Sequence, residues 1–99
     1  MIHEKVLLTT TQADGYVIPL GPLNLVCIVT HNGMVGCGAF DVVALDNFKY
    51  PAARVKSPSG TAIATIDDLL SGVVKEANAA ALAHGVNVGM SGRETLEKL

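Results

Sequence analysis

The chain has 99 residues, 49% of them hydrophobic and only 16% charged. That length suits one domain over residues 1–99, and low charge with high hydrophobicity excludes an intrinsically disordered chain. Seven Lys and Arg against nine Asp and Glu leave a net charge of -2. The cations are scattered, with none of the basic stripe that phosphate neutralisation requires, so nucleic acid is not expected as a partner.

So little polar material to clothe a small sphere implies apolar surface buried against a second copy, and a homo-oligomer is expected. The longest apolar stretch, residues 16–29, is broken by Pro19, Gly21, Pro22 and Asn24, so no membrane span and no membrane partner are expected. The opening Met1-Ile2-His3-Glu4-Lys5 mixes charges and has no apolar signal core, which points to a cytoplasmic location.

In chain order, Val6-Leu7-Leu8 reads as a first strand, with Asp14-Gly15 as the hairpin turn into Tyr16-Val17-Ile18. Gly21-Pro22 turns the chain again, and residues 23–30 form a nearly continuous apolar run that suits a strand covered on both faces. Asn32-Gly33 is the strongest two-residue hairpin signal, because both central positions then take positive φ. That turn sets Cys37 opposite Ile28 and Cys27 opposite Gly38. The two thiols then point to opposite faces and form neither a disulfide nor a shared metal site.

Residues 38–47 place Phe40, Val43 and Ala44 at the spacing of one helical face, and Pro51 fixes the loop that follows. Ala53-Arg54-Val55-Lys56 alternates, as a half-exposed strand near an edge does. Ser57-Pro58-Ser59-Gly60 is a turn. Thr65 caps a helix with Asp68 at N3, and Gly72 stops it. Residues 73–84 read as an alanine-rich helix ending at Gly85, residues 86–88 as a short strand, and Ser91-Gly92-Arg93-Glu94 as a capping box opening the last helix. Strands first and mixed elements afterwards define an α+β fold, an antiparallel sheet of hairpin-connected strands packed against about three or four short helices.

Two places suit chemistry. Gly36-Cys37-Gly38-Ala39-Phe40-Asp41 puts a thiol where a strand ends and a helix is expected to begin, a position that stabilises a thiolate or binds an anion. Asp41, one turn on, suits a proton acceptor. The same residues also suit a structural role, with Cys37 as a small buried hydrophobe and Asp41 favouring the helix start. In the second place, Ser91 and Gly92 offer backbone N–H groups and Arg93 a bidentate donor for a carboxylate or phosphate. Capping alone also accounts for Ser91 and Glu94, with Arg93 pairing to Asp67 or Asp68.

Other chemistries lack support. Gly33, Gly36 and Gly38 do not make a dinucleotide fingerprint, and the Gly-Lys-Ser/Thr of a phosphate-binding loop is absent. His3, His31 and His84 have no ligand-type partner at helical spacing, so no metal site is expected. No serine sits in a nucleophile elbow. No cofactor is indicated by any of these patterns.

Cys37-Gly38-Ala39-x-Asp41-Val42, Thr65-Ile66-Asp67-x-Leu69-Leu70 and Val88-Gly89-Met90-Ser91-Gly92-Arg93-Glu94 together resemble the YunC-like family, a small bacterial and archaeal domain of unknown function. The resemblance runs over residues 20–99 and is most specific in the closing Gly-Met-Ser-Gly-Arg-Glu run. It implies a compact α+β domain and brings no activity or functional residues with it. The residues themselves suggest a small anionic ligand bound near Cys37 and Gly38 with Ser91 and Arg93, within one subunit or across a subunit boundary. An enzyme using Cys37 with Asp41, or a pure assembly module, are the alternatives.

Overall fold

The computed structural model describes residues 1–99. Six strands form one sheet: β1 (Ile2–Leu7), β2 (Gln12–Pro19), β3 (Asn24–Val29), β4 (Met34–Gly36), β5 (Ala52–Lys56) and β6 (Val73–Ala77). Each strand lies beside its sequence neighbour. All pairs are antiparallel except β4 and β5, which run parallel because α1 (Val42–Asp46) carries the chain back between them. The remaining helices are α2 (Ile66–Leu70), α3 (Ala79–Ala83) and α4 (Gly92–Lys98). The α+β expectation is met.

One face of the sheet carries the main core. Alternate residues Ala13, Val17, Val26, Ile28 and Val35 pack with Ile66 and Leu69 of α2 and Leu96 of α4. Burial of a side chain such as Leu69, which is fully covered, stabilises the fold by about 2 kcal/mol. The opposite face has a smaller cluster in which Val42 of α1 meets Met34 and Ala52, with Phe40, Leu45 and Tyr50 around it. β3 therefore meets side chains on both faces, as its unbroken apolar run requires. No helix is long and apolar enough to cross a membrane.

Several local expectations are corrected. The first hairpin turns over residues 8–11, where the Leu8 N–H donates to the Thr11 carbonyl at 2.9 Å. Asp14-Gly15 lies inside β2 instead. Asp14 is held there by Lys5 (2.7 Å) and His3 (2.9 Å) on β1, and Gly15 leaves room for the tip of the Ile66 side chain, whose Cδ1 would lie 2.6 Å from an added Cβ. The next hairpin turns at His31-Asn32, where the Thr30 N–H donates to the Gly33 carbonyl at 2.8 Å, and neither Asn32 nor Gly33 has positive φ. Gly33 serves close approach: a Cβ there would run into the Pro51 carbonyl, which accepts from Met34 N–H.

The register moves accordingly, pairing Cys27 with Gly36, and the Cys37 N–H reaches the Val26 carbonyl at 3.0 Å. The shift preserves the faces. Cys37 enters the main core and Cys27 packs against the smaller cluster, both as free thiols.

Cys37 does not open a helix. Residues 37–40 form a turn closed by Phe40 N–H to Cys37 O, and Asp41 is the N-cap of α1 through its 3.0 Å acceptance from Ala44 N–H. Val43, expected on the buried face, is 62% exposed, and Val42 is the buried residue. β5 lies one strand in from the β6 edge, as near an edge as expected, but it is mostly buried rather than half-exposed, and Glu76 neutralises Arg54 at 2.7 Å. The long helix over 73–84 is a strand followed by a single helical turn or so. The β-branched Val73 and Val74 pair with β5, and Asn78 caps α3. Residues 86–88 form no strand, although Val86 is buried.

Candidate functional site

The parallel pair positions a cleft of about 470 Å³ at the carboxyl ends of β4 and β5. Cys37, Gly38 and Ala39 leave β4 into one wall, while Lys56 and Ser57 leave β5 into another. Pro22 and Leu23 of the β2–β3 turn close the far side, and the loop over 57–64 arches across through Thr61 and Ile63. Carboxyl ends of parallel strands are where open sheets place ligands, since connecting loops diverge there.

The polar residues of this cleft are Lys56, Asn24, Ser57 and Thr61, together with the backbone of Gly38 and Ala39. Lys56 is exposed and joins none of the protein's ion pairs. Gly38 and Ala39 are exposed, and neither N–H has an acceptor within the protein, because only Phe40 N–H closes the turn. Arg54 Nη1 donates to the Gly38 carbonyl at 3.3 Å, which anchors that peptide, and Glu76 in turn holds Arg54. The hydroxyls of Ser57, Ser59 and Thr61 lie 2.9 to 3.2 Å from one another. Cys37 is 6% exposed and contributes to the wall beneath these groups.

Arg93 lies elsewhere. It lines a groove of about 310 Å³ between β1 and α2, with Lys5, Thr65 and Asp67, and donates to the Leu7 carbonyl at 3.2 Å. It forms no ion pair with Asp67 or Asp68. Ser91 and Glu94 make a full capping box, each side chain accepting from the other's backbone N–H at 3.0 Å. Gly92 is buried, and a Cβ on it would collide with the Leu69 carbonyl. Gly36 similarly gives room to the Phe40 ring. The structure thus brings Cys37 and Gly38 together with Lys56, Ser57 and Thr61, and sets Ser91, Gly92 and Arg93 apart from them.

The remaining titratable groups define no second centre. Burial, and then the neighbouring Cys37, push the Cys27 thiol up, and burial also raises Tyr50. Lys5, then His3, hold the Asp14 carboxyl below its ordinary range at the sheet surface. No group of three or more His, Cys, Asp or Glu side chains has the arrangement of a metal site.

The family model described as a domain of unknown function, DUF1805, matches residues 36–99. The chain is also 35% identical over 82 residues to the uncharacterized protein YunC of Bacillus subtilis (strain 168), across 83% of this chain and 80% of that protein. The chain belongs to this YunC-like, DUF1805 family. Its fold matches the crystal structure of a protein of unknown function from Thermoplasma acidophilum with a TM-score of 0.87, at 26% identity, covering 99% of this chain and 91% of that one. Within this family member, the specific Gly-Met-Ser-Gly-Arg-Glu run has a structural account. It lies along the outer edge of β6: Val74 N–H donates to Met90 O at 2.8 Å, Gly89 N–H to Val74 O at 3.0 Å and Gly92 N–H to Gly72 O at 2.9 Å. Gly89 holds a φ of +100°, where other residues are strained.

Lys56, Ser57 and Thr61 were not singled out by sequence reasoning as site residues. A lysine followed by a hydroxyl-rich Ser-Pro-Ser-Gly-Thr loop was the available signal. Its meaning depends on the loop folding back over β4, which no local pattern states.

Proposed function

We propose that the protein binds a small anionic molecule in the cleft at the carboxyl ends of β4 and β5. The observation that carries this is the composition of the cleft lining: Lys56, which joins no ion pair, Gly38 and Ala39, whose N–H groups have no acceptor within the protein, and the hydroxyl-bearing Ser57 and Thr61 all border it. No Asp or Glu lines this cleft to oppose them. An ammonium with several N–H and O–H donors stabilises a phosphate or carboxylate by charge-assisted hydrogen bonds. Arg93 and Ser91 of the same chain lie apart from this cleft and are not used in the proposed binding step.

Thermal-shift measurements with inorganic phosphate, nucleotides and dicarboxylates test it. The wild type and Arg93→Ala are expected to be stabilised alike, and Lys56→Met to respond much less. A response that survives Lys56→Met and disappears with Arg93→Ala would move the site to the groove beside β1. No response from any of these compounds would leave a pure assembly module as the better account.

A second reading, catalysis by the Cys37 thiolate with Asp41 as proton acceptor, is favoured by the position of Cys37 in the wall of the same cleft. Asp41 Oδ1 already accepts from Ala44 N–H, so it keeps only part of its acceptor capacity for that role. Iodoacetamide modification followed against pH distinguishes them: rapid reaction of Cys37 at neutral pH supports catalysis, and the slow rate of a covered thiol contradicts it. Self-association is also part of the proposal, supported by Phe48 at 79% and Val43 at 62% exposure on and beside α1. Light scattering at micromolar concentration is expected to give more than the monomer mass, and a clean monomer would contradict it.

A further inference from the structure

The cleft has two ends of different chemistry, and the sheet order separates them. Lys56 and Ser57 come from the end of β5, whereas Pro22 and Leu23 come from the turn leading into β3. β4 lies between, so the two ends are two inter-strand spacings apart, roughly 10 Å. The loop over 57–64 spans that gap. Its first part holds Ser57 and Thr61 beside Lys56, and its last part is tied to β3 where Asn24 Nδ2 donates to the Ala64 carbonyl at 3.0 Å. Ile63, between them, packs on the main core. Lys56 and Ser57 therefore stand at the β5 end, and Pro22 and Leu23 at the β3 end, where Asn24 Nδ2 is taken up by the Ala64 carbonyl.

Resting on the anion-binding reading above, we propose that the ligand is amphiphilic. An anionic head, phosphate or carboxylate, sits at Lys56, Ser57, Thr61 and the Gly38 N–H, and a short apolar body runs along Ile63 to Leu23. The cleft, at about 470 Å³, falls in the range of small-molecule pockets and exceeds what a bare phosphate fills. Leu23 is a large aliphatic side chain left 55% exposed at the rim, and an apolar body would cover it.

Calorimetric titration of wild type, Lys56→Met and Leu23→Asn with inorganic phosphate, methyl phosphate and hexyl phosphate tests this, with acetate and hexanoate as the carboxylate arm. Circular dichroism confirms that the variants are folded. Hexyl phosphate is expected to bind the wild type at least about tenfold more tightly than methyl phosphate, because burying the added methylenes is favourable. Leu23→Asn should remove most of that gain and leave methyl phosphate unchanged, while Lys56→Met should weaken both esters. Whichever of the phosphate and carboxylate series shows the chain-length gain identifies the head. Equal binding of the short and long members in both series would overturn the amphiphilic ligand and leave anion binding standing. A chain-length gain that persists in Leu23→Asn would overturn the assignment of the β3 end. Failure of every compound to bind would overturn this inference and the anion-binding reading together.

Discussion

Asn78 is 5% exposed, and its side chain uses both of its polar atoms twice. Oδ1 accepts from Ala52 N–H at 3.2 Å and Ala81 N–H at 2.9 Å, while Nδ2 donates to Val42 O at 3.0 Å and Tyr50 O at 2.8 Å. One amide thus joins α1, the loop before β5, β5 itself and α3. Asn78→Ala leaves those buried groups without partners and is expected to cost about 3 kcal/mol in urea unfolding. A loss below about 1 kcal/mol would show that water replaces them. Gly92→Ala forces a methyl group against the Leu69 carbonyl and is expected to cost about 2 kcal/mol or more, since the clash is with backbone and not with the end of a flexible side chain. Neither residue's duty was legible in the sequence. Asn78 stood inside an alanine-rich stretch that looked helical, and Gly92 stood inside a capping motif that explained its neighbours.

Capping boxes were legible at the level of elements because they are local. Thr65 with Asp68 and Ser91 with Glu94 form as their spacing requires. Their carboxylates supply a pH prediction. N–H groups of Ala64 and Thr65 hold Asp68 below its ordinary value of 3.8, and the Ser91 N–H does the same for Glu94 against 4.5. The Thr9 hydroxyl and N–H likewise lower Glu97. Groups depressed in the folded state contribute stability above their unfolded values and lose it as pH falls through the folded ones. The urea midpoint is therefore expected to drop as pH is lowered from about 5 to about 3, with a shallower drop in Glu94→Gln. A midpoint independent of pH in this range would contradict the caps' role. Ser91→Ala should cost about 1 kcal/mol at neutral pH.

Elements whose identity depends on distant partners were misread. Residues 73–77 pair as β6 because β5 offers its free edge, and Asp14-Gly15 stays extended because β1 and β3 pair with it on either side. Helical propensity and turn chemistry are weak beside such contacts. The candidate site divides the same way. Cys37 and Gly38 were visible from the strand end they occupy. Lys56, Ser57 and Thr61 join them only through the parallel β4–β5 pairing, and Arg93 is carried away by α4.

For the molecule as a whole, part of the apolar excess in the composition is ordinary core on one face of the sheet with a smaller cluster on the other, while Phe48, Val43 and Leu23 stay exposed. We propose that all 99 residues unfold as one domain, although the family model matches only residues 36–99. β1 and β2 continue the sheet and place Val6, Ala13 and Val17 in the main core, so removing them would open it. Circular dichroism and amide exchange are expected to report one transition, and a separate early loss of β1 and β2 would contradict this. The same architecture puts the donor-lined cleft at the carboxyl ends of its parallel pair. Amide chemical-shift mapping by NMR during a titration with inorganic phosphate tests that claim most directly. The Gly38, Ala39, Ser57 and Thr61 amides are expected to move together and saturate. Shifts confined to Thr65, Asp67 and Arg93, or none anywhere, would contradict it.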